Sequence, residues 1–161
     1  MTSISSAWFI FFLYDYKFED IWTDTEKHVE TLKSYRAVLT PDFSMYLELH
    51  PVLQLYNTFR NRWVGAYLAA QGIKVVPTVN WGDESTFDFC FSGSAVAVST
   101  YMAQAHSTCA EQKEWFLKGY NAMMQRIETF GRHLLQRAFS RNAGQYCPRR
   151  LRPEFVETRR R

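Results

Sequence analysis

The 161-residue sequence predicts an α/β fold: a mostly parallel sheet of about four strands with crossover helices, or part of an incomplete (β/α) barrel-like arrangement. Three observations predict it. Short apolar runs alternate with helical periodicities from about residue 36 to residue 130. The run Ser94-Ala95-Val96-Ala97-Val98-Ser99-Thr100 is apolar at every central position, as strands covered on both faces tend to be. Hydrophobic residues make up 47% of the chain, with 13 Phe, 9 Tyr and 5 Trp, which suits one packed core in a single domain.

The elements follow in order. Ala7–Tyr14 is an aromatic start, too short to span a bilayer and without the flanks of a signal peptide, so it reads as an element packing on the core. Thr23-Asp24-Thr25-Glu26 has capping-box spacing and opens a helix with Val29, Leu32 and Tyr35 on its apolar face. Ala37-Val38-Leu39-Thr40 reads as a buried strand stopped by Pro41, and Met45–Leu49 as a helical turn. Val52–Tyr56 reads as a second strand between Pro51 and Asn57. A helix then runs from an Asn57 cap, with Phe59, Trp63, Ala66, Tyr67 and Ala70 on its inner face, to a left-handed stop at Gly72. Gly65, in mid-helix, implies close packing or ligand approach.

Ile73–Val76 is the third strand, ended by Pro77, and residues 78–82 are the loop beyond it. Asp83–Phe91 fits either a strand, by its alternating Phe87, Phe89 and Phe91, or a short helix. Ser94–Thr100 is the fourth strand. Thr108-Cys109-Ala110-Glu111 is a second capping box, opening a helix with Phe116, Tyr120, Met123, Met124 and Ile127 inward and Lys113, Lys118 and Arg126 outward. This organisation gives a domain over residues 1–130 and an Arg-rich tail over residues 131–161, helical at first and then irregular.

The formal net charge of +3 conceals an asymmetry. Residues 1–130 carry 10 Lys or Arg against 14 Asp or Glu, a net of −4, whereas residues 131–161 carry 9 Arg against 2 Glu, a net of +7. Such a tail can neutralise nucleic-acid phosphates, although its aromatics are too sparse for a stacking platform; a basic extension without a selected role is the simpler reading. Cys90, Cys109 and Cys147 are odd in number and far apart, so they imply neither a disulfide framework nor a zinc site, and a reducing, cytoplasmic setting follows. Walker, Gly-x-Gly-x-x-Gly, Gly-x-Ser-x-Gly and His-Glu-x-x-His motifs are absent. No cofactor or metal is expected.

Several phrases resemble a family known as a domain of unknown function (number 4417 in that series), found largely in bacteria, phages and mobile elements. They are Tyr14-Asp15-Tyr16-Lys17-Phe18-Glu19-Asp20-Ile21-Trp22, Leu39-Thr40-Pro41-Asp42-Phe43-Ser44 and Tyr56-Asn57-Thr58-Phe59-Arg60-Asn61-Arg62-Trp63. Gly72–Trp81, Phe87–Phe91 and Phe116–Asn121 extend the resemblance over roughly residues 14–130. It implies a mobile-element setting and no assigned activity. Family members continue into a Lys-rich turn and an apolar strand where this chain turns Arg-rich. A reading-frame shift or truncation would explain that, and reading the encoding DNA in the other two frames tests it.

Ligands of α/β sheets gather at strand carboxyl ends. There the sequence places Asp42 and Ser44, Asn57 with Arg60 and Arg62, Asn80 with Trp81, and Ser99 with Thr100. In the leading reading, Arg60 and Arg62 hold an anion (a nucleotide or a nucleic-acid phosphate), Asn57 and Asn80 orient it, and Trp81 stacks on it. Asp42 is the candidate catalytic base of a hydrolase- or transferase-type enzyme. The third reading is a non-catalytic module whose exposed apolar surface binds a protein partner. Against all of these stands a local one: Asp42 and Asn57 cap and turn, and the arginines pair with acids.

Overall fold

A computed structural model describes residues 6–11, 13–92 and 110–126 of the chain. Three parallel strands form the sheet, β1 (Trp8–Phe9), β2 (Ala37–Leu39) and β3 (Val75–Val76), in the order β1-β2-β3. Trp8 pairs with Ala37 and Phe9 with Val38; Val38 then pairs with Val75 and Leu39 with Val76. Central β2 is wholly buried, which explains its unbroken apolar sequence. The expected α/β class and parallel sheet are therefore present with three described strands rather than four: β2 and β3 fall within expected strands, β1 within the aromatic start expected only to pack on the core, and the expected fourth strand, Ser94–Thr100, and the capping box at Thr108 lie outside the described residues.

The helices are α1 (Glu19–Thr23), α2 (Thr25–Leu32), α3 (Pro51–Ala70), α4 (Phe87–Cys90) and α5 (Ala110–Arg126). The box expected at Thr23 does not close. Asp24 stands between α1 and α2 without a side-chain cap bond, and Thr25 Oγ1 donates back to the Ile21 carbonyl at 2.6 Å. Residues 83–91 adopt the helical alternative, a short turn followed by α4.

The main correction concerns α3. It begins at Pro51, so Val52–Tyr56 is helix and not strand, and Asn57 lies in the helix interior and not at its cap. Proline suits the first helical position, where no backbone donor is needed. His50 is the cap, its Nδ1 accepting from the Val52 amide at 3.3 Å. A five-residue apolar run cannot by itself distinguish the two states. The helix stops where expected. Gly72 takes a φ of +80°, its amide reaching the Ala69 carbonyl at 2.9 Å and that of Ile73 reaching Leu68 at 3.2 Å, while Leu68 and Ile73 share one core. Midway, a Cβ on Gly65 would lie 2.6 Å from Thr40 Cγ2, so this glycine lets α3 lie against the end of β2.

Two apolar cores result. One joins Phe18 and Ile21, Val29 and Leu32 of α2, Val38, Phe43, and Val64 and Leu68 of α3. The other gathers Met45, Val79, Trp81, Phe87, Phe91 and, from α5, Phe116, Tyr120 and Met123. The inward face expected for α5 is therefore present as far as it is described, with Lys118 and Arg126 outside it, paired to Glu84 and Asp88 respectively.

Candidate functional site

The strand-end region is built around the segment from Thr40 to Tyr46, which follows β2. A buried loop must find partners for its backbone groups. Here side-chain amides supply many of them. Asn61 Nδ2 donates to the Pro41 carbonyl at 2.6 Å, Asn80 Nδ2 to Phe43 at 2.8 Å, Asn57 Nδ2 to Ser44 at 2.6 Å and Gln54 Nε2 to Tyr46 at 2.8 Å. Asp15 accepts from both the amide and the hydroxyl of Ser44, at 3.0 and 2.9 Å, and Thr40 Oγ1 accepts from the Thr78 amide at 2.7 Å.

Arg60 completes this arrangement. Its guanidinium pairs with Glu19 at 2.7 and 2.9 Å, donates to Asn57 Oδ1 at 2.7 Å and stacks 3.8 Å from the centroid of Phe43. Arg62 points elsewhere, donating to the Cys90 carbonyl at 2.9 Å, and burial lowers its pKa from the ordinary value. Trp81 is 1% exposed, stacked on Phe116 and edge-on to Phe91. Asn57, Arg60 and Asn80 thus converge on one loop, as the sequence suggests, but each holds protein groups; Arg62 and Trp81 belong to the neighbouring core. Ser99 and Thr100 lie outside the described residues. Asn57→Ala removes the partners of both Ser44 and Arg60 and is expected to cost about 2 kcal/mol, measured by urea denaturation. An unchanged midpoint would show that water replaces the amide.

Asp42 stands apart. Its carboxyl is half-buried, and Oδ1 is enclosed with no hydrogen-bond partner among the described residues. Burial pushes its pKa up to about 7; a backbone hydrogen bond opposes that shift, and the neighbouring Asp15 charge adds to it. Among the described candidate residues it is the one whose side chain is seen with no bonding partner in another residue.

The opposite side of α3 carries the feature that sequence reasoning missed. The face with Gln54, Asn57, Arg60, Asn61, Val64, Gly65 and Leu68 is buried. Of the stripe expected to face the core, Phe59, Trp63, Ala66 and Ala70 instead face outward and Tyr67 is half-buried. Phe59 is 51% exposed and Trp63 40%, and Val52 at 62% and Tyr56 at 44%, from the segment expected as a strand, join them. The remaining exposed positions of α3 are Pro51, Leu53, Leu55, Ala66, Ala69 and Ala70, so no exposed position is charged; Arg62 beside them is half-buried and turned to the Cys90 carbonyl. Half-buried Trp22 meets Tyr56, Phe59 and Trp63 edge-on, with centroids 6.0, 5.9 and 5.3 Å away. Three amides at i, i+3 and i+7, leading into Val64 and Leu68, were the available signal.

Among the described residues no group of three or more His, Cys, Asp or Glu could hold a metal, and no helix is long and apolar enough to cross a membrane. Fold and site together define a small parallel α/β module with its polar chemistry turned inward and an apolar helix face turned out. The chain belongs to the family described as Domain of unknown function (DUF4417), whose model matches residues 2–141. It is 38% identical over 122 residues to a Gene 1 protein of Mycobacterium phage L5, covering 73% of this chain and 52% of that protein. A Gene 1 protein of Mycobacterium phage D29 is 40% identical over 102 residues, covering 61% of this chain and 38% of its own length. The chain thus spans about half or less of these phage relatives. No solved structure matches it.

Proposed function

We propose that this chain is a non-catalytic, partner-binding module of a phage-associated family, docking another polypeptide on the outer face of α3. The observation that carries this reading is that every exposed position of a twenty-residue helix is apolar. Exposed apolar patches of this kind mark interaction sites, and aromatic residues are the usual energetic anchors of such interfaces. Half-buried Trp22 extends the face from α1, while the acids beside it are already engaged, Glu19 with Arg60 and Asp20 with His28. A partner helix with an apolar stripe fits such a surface.

An anion at Arg60 and Arg62 would have to displace Glu19 from one and the Cys90 carbonyl from the other, so this reading ranks below docking. A second reading rests on Asp42, whose unpartnered oxygen and raised pKa suit a proton-transfer group. It would require substrate to reach an enclosed atom.

The test compares proteins co-purifying with the wild-type chain, with Phe59→Ser/Trp63→Ser and with Arg62→Ala. The docking reading expects one identified partner to fall more than about tenfold with the double variant, while circular dichroism stays unchanged. Equal recovery by all three chains would overturn it. Saturable binding of ATP or inorganic phosphate that Arg60→Ala abolishes without loss of stability would restore the anion reading.

A further inference from the structure

We propose that the outer face of α3 binds a second copy of this chain, the two α3 helices lying antiparallel across a two-fold axis. This rests on the docking reading above and names the partner. Spacing points to a helix as the occupant. Val52, Tyr56, Phe59, Trp63, Ala66 and Ala70, all exposed, follow one another at intervals of 4, 3, 4, 3 and 4 residues. That alternation averages about 3.5 residues and keeps one line of side chains facing a second helix along the roughly 30 Å of α3.

Size points to a second copy, and to its direction. The large side chains fill the N-terminal part of the line, and the two alanines its C-terminal part. Parallel copies would set Tyr56 against Tyr56 and leave Ala66 facing Ala66. Antiparallel copies centred on residue 61 set Val52 against the partner's Ala70, Tyr56 against the partner's Ala66 and Phe59 against the partner's Trp63. Each end then places a bulky residue against a small one, as interdigitated packing requires, and the two-fold axis makes every such contact twice.

Charge and area agree. No exposed position of α3 is charged, so identical faces meet without like-charge repulsion; Arg60 and Arg62 are turned to Glu19 and the Cys90 carbonyl. Tyr56 stacks with Phe59 and Trp63 with Tyr67, so these rings are already ordered before a partner arrives. At about 150–250 Å² for a whole aromatic side chain, the line and its borders at Leu55, Tyr67 and Trp22 present about 600 Å² per copy. That meets the lower end of specific interfaces, about 1,200 Å² over both partners, and suits a dimer of micromolar affinity.

The test is sedimentation equilibrium of the purified full chain from about 1 to about 100 μM. The wild type is expected to move from 19.0 kDa toward twice that mass as concentration rises. Tyr56→Ala and Ala66→Tyr should each raise the dissociation constant at least about tenfold, the first by emptying a contact and the second by opposing two tyrosines. The swap Tyr56→Ala/Ala66→Tyr should return it to within about threefold of the wild type, since only antiparallel copies bring these two positions together. Both positions are exposed, so circular dichroism should be the same for all four chains. A dimer that ignores both single changes, or that the swap fails to restore, overturns the proposal. So does a mass of 19.0 kDa at every concentration, which would remove the second copy and leave a different partner to the co-purification comparison.

Discussion

Gly119→Ala is expected to lower stability by about 2 kcal/mol, although alanine is the better helix former. The intrinsic helix gain is about 1 kcal/mol, while forcing atoms into a filled core costs about 3 kcal/mol or somewhat more. The second term wins because of where Gly119 stands. An added Cβ would lie 1.9 Å from Trp81 Nε1 and 2.4 Å from Cε2, and that indole is held between Phe116 and Phe91 at 1% exposure. Relief requires the ring to move, or α5 to lift from the loop after β3. Urea denaturation followed by tryptophan fluorescence measures the loss, and an unchanged midpoint would mean the indole is not confined by its neighbours.

Asp42→Asn is expected to make the protein more stable, increasingly so as pH rises. With its pKa raised from 3.8 to about 7, the folded chain keeps a proton that the unfolded chain releases. Stability therefore falls as pH climbs from about 4 to about 7 and levels above that range. The full shift corresponds to about 4 kcal/mol; half-burial and solvent screening reduce the expected effect to about 2 kcal/mol. The wild type and Asp42→Asn should coincide near pH 4 and separate through neutrality. Melting curves across this range decide the matter. Parallel pH profiles would show that Asp42 ionises freely in the folded state and would remove the physical basis for singling it out.

Much of the architecture was legible because local chemistry and tertiary role agree. Gly72 ends its helix because the left-handed turn needs a residue without Cβ, and Val38 and Leu39 read as a buried strand because β2 is covered on both faces. Phe116, Tyr120 and Met123 read as an inner face because they are one. Helix α3 was misread because periodicity finds a stripe without saying which side the core lies on. Its apolar stripe and its amide stripe both follow the helical repeat, and the usual assumption sends the apolar one inward. The buried loop after β2 reverses that choice, since its carbonyls need Asn57, Asn61 and Gln54 more than another apolar contact. Candidate residues could likewise be grouped from their strand-end positions, but not their partners. Glu19 meets Arg60 across 41 residues of sequence, a pairing that no spacing rule reveals.

The ties that hold the segment after β2 also have a kinetic meaning. They join residues 13, 20, 29, 37 and 38 positions apart, so none can form until distant parts of the chain have already met. Contacts of this range carry the largest loop-closure cost and slow the search for the native topology. Once made, they close together from several elements, and a partial opening would have to break them as a group. The amides of Ser44 and Thr78, both held by distant side chains, are therefore placed to exchange their hydrogens only when the whole domain unfolds. The segment that looked most like an open strand-end ligand loop is the latch of the cooperative unit.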